Sequence, residues 1–190
     1  MLLPACRPPE PGAPAALASL EVSRPAHLDT ALSYVGTREL GTNRGPAVER
    51  FLRSVGLRPG NAYCAAFVSY CLEAAGAVEP AVRSGLAYHF ISRHRSIAAR
   101  EVLRGVVEVV PGTILVWRRG NTTRGHTGFV VAWSGGASGE TVEANTGPGL
   151  YGNQSDGDGV WRRRRAIEPG NYFRITHFTL VRYGVVPLAP

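Results

Sequence analysis

A chain of 190 residues has room for one domain with a substantial core and hardly for two. Its 44% apolar composition argues for a folded protein, and no apolar run is long enough to cross a bilayer as a helix. The net charge of +7 rests on arginine alone, since lysine is absent; it fits an anionic partner (nucleic acid, anionic lipid or a carboxylate- and phosphate-rich wall) or simply a solvated basic face.

Residues 1–26 carry six of the fourteen prolines and several alanines, with little periodicity, and read as a flexible arm preceding a domain at 27–190. The opening Met1-Leu2-Leu3-Pro4-Ala5-Cys6 lacks the charged and apolar regions of an export signal. Localisation is left open between a protein cytoplasmic until released and one exported without a signal. A short helix is predicted from His27 to Val35, followed by a polar loop holding Glu39 and Asn43. Pro46 suits a first helical position, and Val48, Phe51, Leu52 and Val55 recur at helical spacing up to Gly56. Gly60 and Asn61 then break and cap a third, strongly apolar helix that starts near Cys64 and stops at Gly76. A helical piece is expected around residues 86–95. From Val106 onward the texture becomes short β-prone runs divided by Gly-rich turns: 106–110, 113–118, 127–133, 140–144, 159–165 and 175–183. Such tight spacing favours antiparallel pairing, so the expected class is α+β, with N-terminal helices packed on a C-terminal antiparallel sheet.

Of the three cysteines, Cys6 lies in the arm, and Cys64 and Cys71 would stand about 10 Å apart on one helix, too far for a disulfide. Cys71 sits on the apolar face and reads as core. Cys64 falls in the first helical turn, where unpaired N–H groups and the helix dipole favour a thiolate. A nucleophilic cysteine needs a base and a group that orients the base. His126 opens the strand-like run Thr127–Trp133, and Glu143 and Asn145 share one face of the next run, within cross-strand reach of His126. The other histidines, His27, His89, His94 and His177, lack a partner pattern and read as structural or solvated. Arg162 to Arg165 read as a solvated strand whose side chains alternate faces.

Taken together, several motifs make the chain recognisable: Tyr34-Val35-Gly36-Thr37-Arg38-Glu39 with Asn43-Arg44-Gly45, and Ala62-Tyr63-Cys64-Ala65-Ala66-Phe67-Val68. They continue with Pro111-Gly112-Thr113-Ile114-Leu115-Val116-Trp117, Gly125-His126-Thr127-Gly128-Phe129-Val130, Glu143-Ala144-Asn145-Thr146-Gly147 and Gly157-Asp158-Gly159-Val160. In order and spacing the chain resembles the CHAP group of peptidoglycan hydrolases, within the NlpC/P60-like, papain-like cysteine peptidases. The resemblance implies a papain-like fold, Cys64 as nucleophile, His126 as base then acid, Glu143 as the orienting group and Asn145 as a polar helper near the histidine. It also implies hydrolysis of an amide bond of the anionic wall polymer peptidoglycan, as an N-acetylmuramoyl-L-alanine amidase or a stem or cross-bridge endopeptidase. Tyr63 stands where the family usually has tryptophan, and Thr113 where it usually has aspartate. Some relatives bind calcium through aspartates ahead of the nucleophile; residues 57–63 contain none, so neither metal nor cofactor is carried over. Tyr63 and Tyr151 are candidate substrate contacts, the latter in a Gly-, Asn- and Ser-rich loop over 146–158. The expected partner is peptidoglycan, with no nucleic acid, no membrane span and a monomeric chain. The rival readings are an inactive wall-binding module and a cysteine amidase with a non-wall substrate, such as an antibacterial effector.

Two decoys fall away. Gly147-Pro148-Gly149-Leu150-Tyr151-Gly152 matches a dinucleotide fingerprint but contains proline and precedes turn formers, not a helix. Asp156-Gly157-Asp158-Gly159 hints at a calcium loop, yet Arg165 occupies the place of the bidentate glutamate.

Overall fold

The computed structural model describes residues 24–92, 95–134, 136–149, 157–167 and 175–180. Residues 1–23 of the expected arm, with Cys6, and Tyr151 with most of its loop lie outside the described residues. Three helices come first: α1 (Ala26–Ser33), α2 (Pro46–Ser54) and α3 (Cys64–Ala74). Pro46 opens α2, where its missing N–H costs nothing, and the helix buries Val48, Phe51 and Leu52. Helix α3 is buried on nearly all sides from Cys64 to Leu72, as its unbroken apolar composition requires. It packs on α1 and α2 on one side and on the sheet on the other.

Six strands follow: β1 (Ser96–Ala98), β2 (Ile114–Arg118), β3 (Gly125–Trp133), β4 (Ser138–Thr146), β5 (Gly159–Ala166) and β6 (Ile175–Thr179). They form one antiparallel sheet in the order β1-β6-β2-β3-β4-β5. The period-two alternation divides their side chains between two apolar clusters. Ile114, Val116, Phe129, Val142, Ala144 and Val160 join the helices in the larger cluster. Leu115, Trp117, Val130, Ile175 and Phe178 face the other way and are covered by Ala99 and Val102 of a short helix, α4 (Ala99–Leu103). The expected α+β class, helices on an antiparallel sheet, is the observed one.

The β5 edge is closed by the segment after α1. Gly36 N–H donates to Val160 O (2.9 Å), Val160 N–H to Thr37 O (2.9 Å) and Glu39 N–H to Asp158 O (2.8 Å). Arg38 adds an ion pair to Asp158 at 2.7 Å and lies 5.1 Å over the Trp161 ring. The two motifs Tyr34–Glu39 and Gly157–Val160, far apart in sequence, are therefore neighbours across one edge.

Three local expectations need correcting. Residues 106–110 form no strand: Val106 and Val110 face solvent, and only Val109 is buried. The helical piece near 86–95 is a single 3-10 turn, Ala87–Phe90. Strand β1 and helix α4, in the stretch after it, were not anticipated, because three and five residues are too few to show a period.

Phe67 is fully buried in α3, with its ring against Phe51, Phe129 and Tyr34. Phe67→Ala is expected to lower unfolding stability by about 3–5 kcal/mol, measured by urea denaturation; an unchanged midpoint would show that α3 does not anchor the core.

Candidate active site

Cys64 is the first residue of α3 and retains 7% exposure. The first bond of the helix runs from Phe67 N–H to Tyr63 O (2.8 Å), so the N–H groups of Cys64, Ala65 and Ala66 have no acceptor within the helix. Asn61, expected as the cap, instead donates from Nδ2 to Arg58 O at 2.8 Å. The side chain that serves the entry to α3 comes from the sheet: Asn145 Oδ1 accepts the Tyr63 N–H at 3.0 Å. Asn145 adopts φ 58°, a left-handed conformation that asparagine tolerates better than most residues, and the β4–β5 register shifts between Ala144 and Thr146. This bulge takes Asn145 out of simple alternation with Glu143 and turns it towards α3. Asn145, expected beside the histidine, thus braces the entry to α3, the helix that carries Cys64.

Tyr63 is also corrected. It has no exposed surface, so it is a core residue and not a substrate contact. Its hydroxyl donates to Glu39 Oε1 (3.0 Å), and Glu39 Oε2 accepts the Asn43 N–H (2.7 Å). Burial and the Glu39 charge push the Tyr63 phenol far up, which keeps it a donor. The Glu39–Asn43 loop is thereby tied to the base of α3.

His126 and Glu143 come together across β3 and β4. Glu143 pairs in register with Gly128, two residues along from His126 and on the same side of β3. His126 Nε2 lies 3.0 Å from Glu143 Oε2. Gly128 makes this diagonal reach possible: a Cβ there would lie 2.6 Å from Glu143 Cγ and 2.7 Å from Val142 O. The imidazole also packs on Trp117, its register partner on β2, with ring centroids 5.2 Å apart.

Glu143 is completely buried, and its second partner is Arg165 of β5. Arg165 Nε donates to Oε1 at 2.6 Å and Nη2 to Oε2, while Thr141 Oγ1 donates to Oε1. The guanidinium lies 5.0 Å over the Trp117 ring. The solvated strand expected for 162–165 is therefore half right. Its side chains alternate, but Arg163 and Arg165 point inward and are buried, whereas Arg162 and Arg164 are exposed. Arg163 Nη1 donates to the carbonyls of Gly147 (2.7 Å), Pro148 (3.1 Å) and Gly149 (2.6 Å). Sequence reasoning missed both arginines because one face of this strand shows no apolar alternation. The signal that could have found them is the register itself, which sets Arg163 against Thr141 and Trp161 against Glu143.

The electrostatics follow from these contacts. Burial opposes charge on Glu143, but the bonds from Arg165 and His126 outweigh it and hold the carboxyl down at about 2. Burial likewise disfavours a thiolate at Cys64, yet the His126 charge and hydrogen bonds from His126 and the Ala65 and Thr127 backbone bring the thiol below its usual value. His126 responds in the opposite sense: burial lowers it, while Cys64 and Glu143 together raise it to about 9. The arrangement favours a thiolate beside an imidazolium. Cys71 differs completely; buried without a charged partner, its thiol is pushed well up. Among the described residues, no three His, Cys, Asp or Glu side chains gather as a metal site would need.

Folding stabilises the ionised form of Glu143, so its contribution to stability is fully present above the unfolded value of about 4.3. That contribution is lost as pH falls towards about 2. Gly128→Ala should drive the Glu143 side chain away from His126, lowering the imidazole pKa as followed by NMR titration, in a protein that still folds; an unshifted titration would show that the cleared space is unimportant.

No curated protein and no solved structure matches the chain. The CHAP domain family model matches residues 56–145, a span that holds Cys64, His126, Glu143 and Asn145. Domains of this family are generally amidase or peptidase hydrolases related to peptidoglycan. The matched span, just under half of the chain, covers the helix bearing the cysteine and the part of the sheet bearing the histidine and glutamate, and over that span the chain is similar to CHAP domains.

Proposed function

We propose that this chain is a cysteine-dependent hydrolase that cuts an amide bond of peptidoglycan. The observation that carries the reading is the run of contacts from Cys64 at the start of α3 through His126 to the buried Glu143. A thiol poised as a thiolate beside an imidazolium is the reactive form of a cysteine nucleophile. Its placement on a helix start, facing histidine and glutamate on a sheet, supports a papain-like arrangement. The same reading takes 27–190 as the catalytic domain and 1–26 as an arm.

In this mechanism Cys64 Sγ attacks the carbonyl carbon of the scissile amide, its proton already held on His126. With Nε2 engaged by Glu143, Nδ1 is the ring nitrogen that takes this proton. The oxygen of the tetrahedral intermediate falls at the start of α3, where the Cys64 N–H has no acceptor within the helix and is the first candidate oxyanion donor. The C–N bond then breaks and His126 protonates the leaving amine. Water attacks the thioester, His126 accepts its proton, and the C–S bond breaks, so that the carboxylic acid departs and the thiolate–imidazolium pair is restored. Asn145 acts one step back, by bracing Tyr63 and hence the position of Cys64. The exposed arginines and the net charge of +7 suit an anionic polymer.

Digestion of purified peptidoglycan, with mass spectrometry of the fragments, tests the reading. Wild-type protein should release fragments with new amino termini, and Cys64→Ala should lower the rate by roughly three orders of magnitude or more. Equal activity of the two proteins would remove the mechanism. The rate should also fall as pH rises through about 9, because His126 must carry a proton to protonate the leaving amine. A rate that keeps rising well beyond that pH would exclude His126 as the acid.

A further inference from the structure

Glu143 has four donors on two oxygens: Arg165 Nε and Thr141 Oγ1 on Oε1, and His126 Nε2 and Arg165 Nη2 on Oε2. An ionised carboxylate has about four lone-pair sites, and here all are used. A protonated carboxyl would have to break one of these bonds to place its own hydrogen. The group is therefore held as an acceptor only.

The charges alternate along the buried chain: Cys64 negative, His126 positive, Glu143 negative, Arg165 positive. With all four present the set is neutral. Without Arg165, two buried negative charges would flank one imidazolium, and the cheapest relief is a proton on Glu143 or on the Cys64 thiol. A protonated Glu143 can donate to Nε2, which places the imidazole proton on Nδ1 and blocks acceptance from the thiol. The other groups on this face offer the carboxylate no comparable two-oxygen grip. Thr141 is neutral, Arg163 feels the fields of Arg165 and Glu143 but spends Nη1 on three carbonyls, and Trp117 supplies only its ring face.

We propose that Arg165 is a positioning residue for the Cys64–His126 pair: by gripping both oxygens of Glu143 it keeps that carboxylate an acceptor, so that His126 is protonated on Nε2 and Nδ1 is left for the thiol. The inference rests on the reading of Cys64 as a nucleophile given above. Its grip depends on the planar fork of the guanidinium, which an ammonium cannot reproduce.

The test needs no wall substrate. Alkylation of Cys64 by iodoacetamide is followed against pH in the full-length chain, by mass spectrometry of the peptide that carries Cys64, so that Cys6 and Cys71 are scored separately. Wild-type Cys64 should alkylate with a midpoint below the ordinary thiol value of about 8.5. A wild-type midpoint at or above that value overturns the nucleophile reading itself. Arg165→Met, checked for folding by circular dichroism, should raise the midpoint by about one unit or more and slow alkylation at pH 7 by about tenfold. Arg165→Lys should fall between the two. If Arg165→Met does not fold, Arg165→Lys carries the expectation in its smaller degree, a midpoint raised above wild type. Nitrogen-15 NMR of the His126 ring should show the Nε2 proton in wild type and its loss or exchange in the variants. Folded variants that keep the wild-type alkylation profile and the Nε2 proton would overturn the proposal and leave Arg165 a purely structural partner, while the nucleophile reading stood.

Discussion

Glu143 has no exposed surface, yet donors from three adjacent strands converge on its carboxylate: His126 from β3, Thr141 from β4 and Arg165 from β5. A buried ion of this kind is tolerated only if its partners are held in place, because loss of one leaves the remaining charge uncompensated, at a cost of about 3–5 kcal/mol. The register of β3, β4 and β5 is therefore tied to a single carboxylate. A slip of one residue would turn Glu143 into the cluster of Val142 and Ala144 and expose the apolar face. The polar site and the order of the sheet are one constraint.

Helix α3 imposes the complementary demand. Its apolar surface makes it a core element, and a core helix has no water to satisfy its first N–H groups. The Tyr63 N–H is taken up by Asn145 from the sheet, and the Tyr63 hydroxyl by Glu39 from the loop after α1. That same loop closes the start of β5 at Asp158–Val160, on the strand that further along carries Arg165. The groups that fix the cysteine and those that fix the histidine thus meet on β4, where Glu143 and Asn145 stand two residues apart and face different tasks because of the bulge between Ala144 and Thr146.

How much was legible beforehand depended on whether the signal was local. The three N-terminal helices were readable from apolar recurrence, from Pro46 and from Gly76; five of the six strands, β2 to β6, were readable as β-prone runs between glycine turns. Cys64 at a helix start and the pairing of His126 with Glu143 could be argued from spacing, because period and register carry that information. Asn145 could not be placed, since its direction depends on a bulge that alternation does not predict. Tyr63 was misjudged because nothing local distinguishes a rim tyrosine from one sealed under Phe51 with its hydroxyl on Glu39.

By itself, then, the amino-acid sequence determined the α+β class, the apolar helix carrying Cys64 and Cys71, and the candidate grouping of Cys64, His126 and Glu143, because each is written in short-range periodicity and spacing. Only the tertiary structure decided that Cys64 has a charged partner while Cys71 has none, and that Asn145 braces α3. It alone also showed that Arg165, which looks like one of four solvated arginines, is a buried counter-ion of Glu143. The reason is physical: which side of a strand is desolvated, and which charge lies across from it, are set by neighbours distant in the chain, and burial converts an ordinary side chain into an electrostatic determinant.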